Sequence, residues 1–271
     1  MARTVVDGFK TNVKLKTRYP ILKFDLLKMY CGRPYVIDLP SAEGSVTVCI
    51  PTMGQLIDIG EEKFYNTLNI FTTNTTQYRL VLSKADPPID WNEMSDFELF
   101  TSLYQNADET VVNCLFKDLN LKQFKVFVKN QTEKTLYNEE TKTEINEEVY
   151  QHIAQYLRLV FRLHVEEKIT RDPVLKQMYL QKDEFALNRA LKNKGDEDKG
   201  SIQPLISSCV NHPGFKYRLK DIDELNICEF YDSVSRLQVY ENTRALIQGS
   251  YSGMVDTSKI DKESFNFMRK I

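Results

Sequence analysis

The stretch Val149-Tyr-Gln-His-Ile-Ala-Gln-Tyr-Leu-Arg-Leu-Val-Phe-Arg-Leu163 decides the fold. Val149, Ile153, Tyr156, Leu157, Val160 and Leu163 recur in steps of three and four, the apolar face of a helix. An acidic run, Glu139, Glu140, Glu144, Glu147 and Glu148, leads into it and suits the positive end of the helix dipole. Immediately upstream the period changes. Phe124, Val126 and Val128 alternate with Lys125, Phe127 and Lys129, which predicts a strand with one buried face, paired in a hairpin with Lys134–Tyr137. Other strands precede this point and only helices follow it. The expected class is α+β: a small strand-containing N-terminal part and a predominantly helical C-terminal half.

Toward the N-terminus, Pro34–Leu39 and Ser45–Ile50 read as two strands of a hairpin, turned through Pro40-Ser-Ala-Glu-Gly44. Pro51–Phe71 reads as helix, opened by a capping box at Thr52 and Gln55 and split at Gly60. Pro87-Pro-Ile-Asp-Trp91 breaks the chain. Ser95 and Glu98 then open a helix that carries Phe97, Leu99, Phe100, Leu103 and Tyr104. Residues 1–33 form a basic arm, with Arg3, Lys10, Lys14, Lys16, Arg18, Lys23, Lys28 and Arg33 opposed only by Asp7 and Asp25. After Tyr19-Pro20, Ile21, Leu22, Phe24, Leu26 and Leu27 make a short apolar element within it.

Toward the C-terminus, Asp172-Pro173 restarts the chain, and Val174–Lys192 predicts a polar, exposed helix. Residues 193–201, centred on Lys-Gly-Asp-Glu-Asp-Lys-Gly, read as a flexible loop between a mixed body (34–192) and a helical C-terminal region (202–271). That region runs from the Asn211-His-Pro-Gly214 turn into an amphipathic segment, Asp221–Gln248. It breaks at Gly249-Ser-Tyr-Ser-Gly253 and closes with Asp256–Met268, a docking tail.

Composition narrows the classes of function. A hydrophobic share of 42% and a charged share of 27% suit a globular chain and argue against wholesale disorder. A net charge of −2 gives no global field for nucleic acid or anionic membrane. No apolar run reaches membrane-span length, and Met1–Gly8 lacks the apolar core of a signal peptide. Cys31, Cys49, Cys114, Cys209 and Cys228 are scattered and odd in number, as reduced thiols would be. The Asn-x-Thr triplets at Asn74 and Asn130 then carry no glycan, and the expected location is a cytosol or a particle assembled in one.

Catalytic signatures do not assemble. His164 falls on the apolar face of the Val149–Leu163 helix as a core or boundary residue, and His152 lies off that face in solvent. Cys209 and His212 supply half a zinc site, and only Cys228 is near in sequence, so no metal or other cofactor is expected. There is no nucleophile elbow, phosphate loop or dinucleotide fingerprint. The dense carboxylates lie at helix starts, where dipole compensation explains them. The expectation is no enzyme, although distant residues such as His164 or His212 could still converge on a carboxylate.

The C-terminal region points to protein contact. Ile227, Phe230, Val234, Leu237, Tyr240 and Ile247 form one apolar stripe, widened by Tyr231, Val239 and Leu246. It serves either the core of its own domain, the favoured reading, or an intermolecular seam. Phe265, Phe267 and Met268 lie where termini fray unless pinned, so they are expected in a hydrophobic groove of this chain or of a neighbour. The expected partner-binding residues are Phe230, Val234, Leu237, Tyr240, Tyr251, Phe265, Phe267 and Met268. The alternative from another class is a nucleic-acid-associated protein that uses the basic arm.

The runs Ala245–Ile260, Asn211–Tyr217 and Ile50–Ile57 resemble segments of proteins encoded among the tail genes of tailed bacteriophages, including tail assembly chaperones and baseplate-hub assembly proteins. The resemblance implies a strand-to-helix start followed by a helical body. It also implies a non-enzymatic role in tail assembly or in the particle, with the tape measure, hub or tube protein, or further copies of the chain, as partners. It brings no catalytic residues.

Overall fold

The computed structural model describes residues 18–39, 44–129, 133–192, 202–254, 256, 258 and 260–269. The basic arm up to residue 17, turn residues 40–43 and the loop 193–201 lie outside the described residues.

Helix α7 (Glu147–Val160) forms where the sequence places one. The Asn146 side chain accepts from Val149 N, and Glu147 and Glu148 fill the first turn. Its buried face carries Val149, Tyr150, Ile153, Ala154, Tyr156, Leu157 and Val160. It stops three residues short of Leu163. Arg162 adopts a φ of 53°, a left-handed conformation that a right-handed helix cannot propagate. His164 therefore leaves the apolar face and is exposed, contrary to the expectation of a core or boundary position.

Helix α7 lies against α3 (Glu61–Thr72), and α5 (Asp96–Leu103) closes the same core. Tyr150 stacks on Phe100 with ring centres 4.8 Å apart, and Phe71 meets both Phe100 and Phe116. The last carbonyls of a helix need donors. Arg158 supplies them to α3, giving Nε to Thr72 O at 2.7 Å and Nη2 to Thr73 O at 2.9 Å. Both expected capping boxes form, Thr52 with Gln55 at α2 (Met53–Ile59) and Ser95 with Glu98 at α5. Gly60 separates α2 from α3 at a φ of 94°, which a side chain would disfavour.

Strands β1 (Tyr35–Asp38) and β2 (Ser45–Val48) form the expected hairpin, shorter than Pro34–Leu39 and Ser45–Ile50. After α6 (Glu109–Leu115), the two-residue strand β3 (Phe116–Lys117) joins β2, with Val48 opposite Phe116. A second antiparallel sheet has the order β4 (Lys125–Lys129), β5 (Glu133–Asn138), β6 (Thr143–Ile145). Here one expectation fails: β4 has no buried face, and all five of its residues are exposed. Phe124, just before it, enters the core, while Leu136 of β5 and Ile145 of β6 carry the sheet's apolar contact. Strand β6 takes residues assigned to the acidic lead-in, and buried Glu144 pairs with Lys129 at 2.7 Å.

The C-terminal region joins the same core. Helix α8 (Pro173–Lys192) buries no residue, as expected; Asp183 and Glu184 pair with Arg79 and Lys84 on and beside α4 (Arg79–Ser83). After α9 (Ile202–Val210), the segment expected to start a helix at Asp221 instead forms a 3-10 stretch over Leu219–Glu224. Helix α10 (Ile227–Tyr251) starts later because Asn226 bridges Thr52. Met53 N donates to Leu225 O at 2.8 Å and Ile227 N to Pro51 O at 2.9 Å. The Asn226 side chain accepts from Glu229 N, so two capped helices start at one point. Ile222, Leu225, Ile227, Cys228 and Phe230 pack into the core beside it. At its other end α10 runs through Gly249, and the turn comes at Gly253, with a φ of 71°.

Gly54 sits in this joint. A Cβ there would lie 2.9 Å from Asp223 O, a backbone atom with little freedom to retreat. Gly54→Ala is expected to cost about 1–3 kcal/mol through overpacking, read as a lower urea midpoint at unchanged slope.

Candidate functional site

Helix α10 spans about 37 Å at the standard rise per residue. Its first turns are held firmly. Ile227, Cys228 and Phe230 are buried, Tyr231 Oη meets Tyr65 Oη at 2.6 Å, and Arg162 donates to Asp232 at 2.9 Å and to Ser235. Farther along, burial thins to Val239 and Thr243.

The tail returns onto this distal half. A 3-10 turn over Lys262–Phe265 presents Ser264 O to the Thr243 hydroxyl at 3.1 Å. Arg236 Nη1 donates to Arg269 O at 2.7 Å, and Arg269 Nη1 donates to Ser264 O at 3.0 Å. The docking is intramolecular and polar. The expected hydrophobic groove is not what holds it: Phe265 is half-buried, but Phe267 and Met268 are 53% and 72% exposed. Side chains that donate to tail carbonyls fix the tail's backbone and leave its large apolar groups outward.

The eight expected partner residues therefore divide. Phe230 is fully buried and belongs to the core. Val234 and Leu237 are half-buried along the middle of α10. Tyr240 is exposed and meets Phe267 edge-on, ring centres 6.4 Å apart, so these two form one apolar surface. Tyr251 stands 89% exposed at the end of the helix, with Met254 exposed just past the Gly253 turn. The sequence pattern did not single out the exposed apolar groups of α8, among them Val174, Met178 and Phe185. Their i, i+4, i+11 spacing is a helical period that could have found them.

Ionisable groups gather elsewhere and are tied into the fold. His152 is half-buried, its Nδ1 2.7 Å from the Tyr35 hydroxyl, which departs from the expected solvated position. His212 lies 3.7 Å from Glu241, and Cys209 is buried. Among the described residues no three metal-ligating side chains converge. Burial raises the thiols of Cys49, Cys114, Cys209 and Cys228, that of Cys114 to about 11, so they stay protonated at neutral pH. Arg18, one of the arm's basic residues, spends its guanidinium on Met94 O and Asn92 O. No described helix is long and apolar enough to cross a membrane.

A buried polar cluster surrounds Asp96. One carboxylate oxygen accepts from Thr75 N at 3.0 Å; the other, Oδ2, meets no donor. Asp96 N donates to the Tyr19 hydroxyl, which donates to Glu147 at 3.0 Å. Burial raises the Asp96 pKa, against the Thr75 hydrogen bond and the charges of Arg158 and Arg18. Thr72–Thr76 is buried alongside, with Asn74 Nδ2 donating to Glu166 O and the Thr76 hydroxyl accepting from Lys168 N. These bonds hold an internal polar loop in place.

Residues 192–271 match the family model described as YomV second domain, under a third of the chain. YomV is a phage-encoded protein of a Bacillus SPbeta-like prophage, and the match points to a phage origin. The matched span includes α10 and the tail. No match is found among curated proteins or solved structures.

Two outcomes follow from this geometry. An acid whose folded pKa is raised binds more protons folded than unfolded, so it destabilises at neutral pH. That penalty is relieved as pH falls through the raised value toward the ordinary 3.8. Asp96→Asn abolishes this titration. The unfolding free energies of variant and native protein, compared at about pH 7 and about pH 4, should shift in favour of the native protein at the lower pH. Truncation after Asp256 removes the carbonyls that Thr243 and Arg236 bond. It should raise amide exchange across 236–251 while α7 stays protected.

Proposed function

We propose that this chain acts by binding other proteins, as a non-enzymatic component or assembly partner of a phage tail or baseplate. The contact surface is the distal half of α10 with its returned tail. The observation that carries this reading is the exposed set Tyr240, Tyr251, Phe267 and Met268, on a helix anchored in the core at one end only. Exposed apolar groups gathered this way mark interaction sites, and aromatic residues and methionine are enriched at interfaces. The same residues fall inside the span that matches a phage-associated family model, which supports a phage setting for the contact.

The partners on this reading are tail proteins such as the tape measure, hub or tube, met in the host cytoplasm or within the virion. Hydrogen bonds to its backbone hold the tail, so its side chains are free to enter a groove on the partner. Half-buried Val234 packs against the core and half-buried Leu237 lies beside Gly214, so both help to fix the helix.

The test pairs Phe267→Ser with Met268→Ser in the intact chain. Both side chains are exposed, so stability should change by no more than about 0.5 kcal/mol each. Association with tail proteins, measured by co-purification from infected cells, should be lost. Stoichiometric presence of the native chain in purified virions identifies a structural subunit, and absence from them an assembly factor. Undiminished association of the double variant would refute this surface.

A further inference from the structure

Strand β4 has the sequence Lys125-Val-Phe-Val-Lys129, which reads the same in both directions. It is the outer strand of its sheet, and among the described residues no strand lies on its far side. All five residues are exposed, including Val126, Phe127 and Val128. Such an edge presents unpaired N–H and C=O groups to any strand that fits, and proteins commonly blunt it with lysine. Here the lysines do not serve that end. Lys129 pairs with Glu144 at 2.7 Å and Lys125 with Glu139 at 3.6 Å, so the edge carries little net charge.

We propose that β4 pairs antiparallel with β4 of a second copy of this chain, about a two-fold axis through Phe127. The two three-stranded sheets then become one sheet of six strands. A two-fold interface needs a surface complementary to itself, and a palindromic strand supplies one without further design. In this register Phe127 faces its own copy, Val126 faces Val128, and Lys125 faces Lys129. The central aromatic pair and the flanking valines are favourable cross-strand neighbours. Lysine opposite lysine would repel, but each brings its own carboxylate, Glu139 or Glu144.

Charge also separates this occupant from an acidic strand of another protein. Lysines already matched within the chain leave no surplus positive charge to select such a strand. Symmetry is the specific feature that remains. Five residue pairs bury well under the roughly 1,200 Å² of a standard interface, so the dimer forms reversibly and depends on concentration.

The test uses the full chain with Cys31→Ser, which removes the exposed native thiol. Opposed residues of an antiparallel pair lie within disulfide reach. Phe127→Cys should therefore crosslink to itself under mild oxidation. Val126→Cys alone and Val128→Cys alone should not, whereas a mixture of the two should give the crosslinked pair. In sedimentation the unmodified chain should move from 31.6 kDa toward twice that mass as concentration rises. Phe127→Lys, which puts an unpaired charge on the axis, should hold it at the monomer mass. A native chain that stays monomeric throughout overturns the proposal. So does Val126→Cys crosslinking to itself as readily as Phe127→Cys, which would report random collision or another register.

Discussion

Two backbone hydrogen bonds, Met53 N to Leu225 O and Ile227 N to Pro51 O, join the helical C-terminal region to the strand-bearing body. They form at a place where both partners have groups to spare. A helix start leaves its first N–H groups without intrahelical acceptors, and here α2 and α10 begin side by side, each pinned by its own cap. Gly54 lets the Asp223 backbone approach, and Gly32, at a φ of 68°, lets the chain pass the Asn226 side chain. The consequence is directional. With its first residue tied to Pro51, α10 must send its early turns into the core and its late turns beyond it.

The core that receives α10 is stiffened by polar groups as much as by apolar ones. Tyr150 and Arg158 lie on one helix, two turns apart, and both reach the end of α3. The guanidinium answers carbonyls at the negative end of that helix, where a cation is favoured electrostatically. Removing a donor from such a place costs more than the bond contributes, because buried carbonyls would then be left bare. Asp96 beside them is a buried carboxyl whose pKa burial raises against the charges of Arg158 and Arg18, with one oxygen unmatched. The loop from Thr72 to Thr76 is thus a fixed part of the scaffold, in spite of its polar sequence.

Local rules were the legible part of this sequence. Thr52 with Gln55, Ser95 with Glu98, and the break at Gly60 depend on neighbours three residues apart or closer, and each is found where the spacing puts it. Rules that need the rest of the chain were not legible. Alternation from Phe124 to Lys129 shows which side of a strand is apolar, but not whether that strand lies inside its sheet or at its edge. The period reaching Leu163 is real, yet the backbone turns left-handed at Arg162 and ends it. At the candidate site, large apolar groups near the terminus were visible as side chains in need of an explanation. Their exposure was not, since hydrogen bonds from Arg236, Thr243 and Arg269 to tail carbonyls leave no periodic trace.

That mode of tail attachment has an energetic consequence. Had an apolar groove held the tail, Phe267 and Met268 would have been consumed in folding. Held through its backbone, the tail leaves most of their surface to be buried later, each worth about 1.5–3 kcal/mol when fully buried. Tyr240 and Tyr251 add comparable area, but association must first overcome about 4–15 kcal/mol of lost translational and rotational freedom. Four such side chains roughly balance that cost and leave a weak contact. A weak contact becomes durable when several are made at once, because later ones form at the high effective concentration set by the first. On the proposed reading, a helix anchored at one end, with its apolar groups toward the other, suits an assembly in which many copies bind together better than a one-to-one complex in solution.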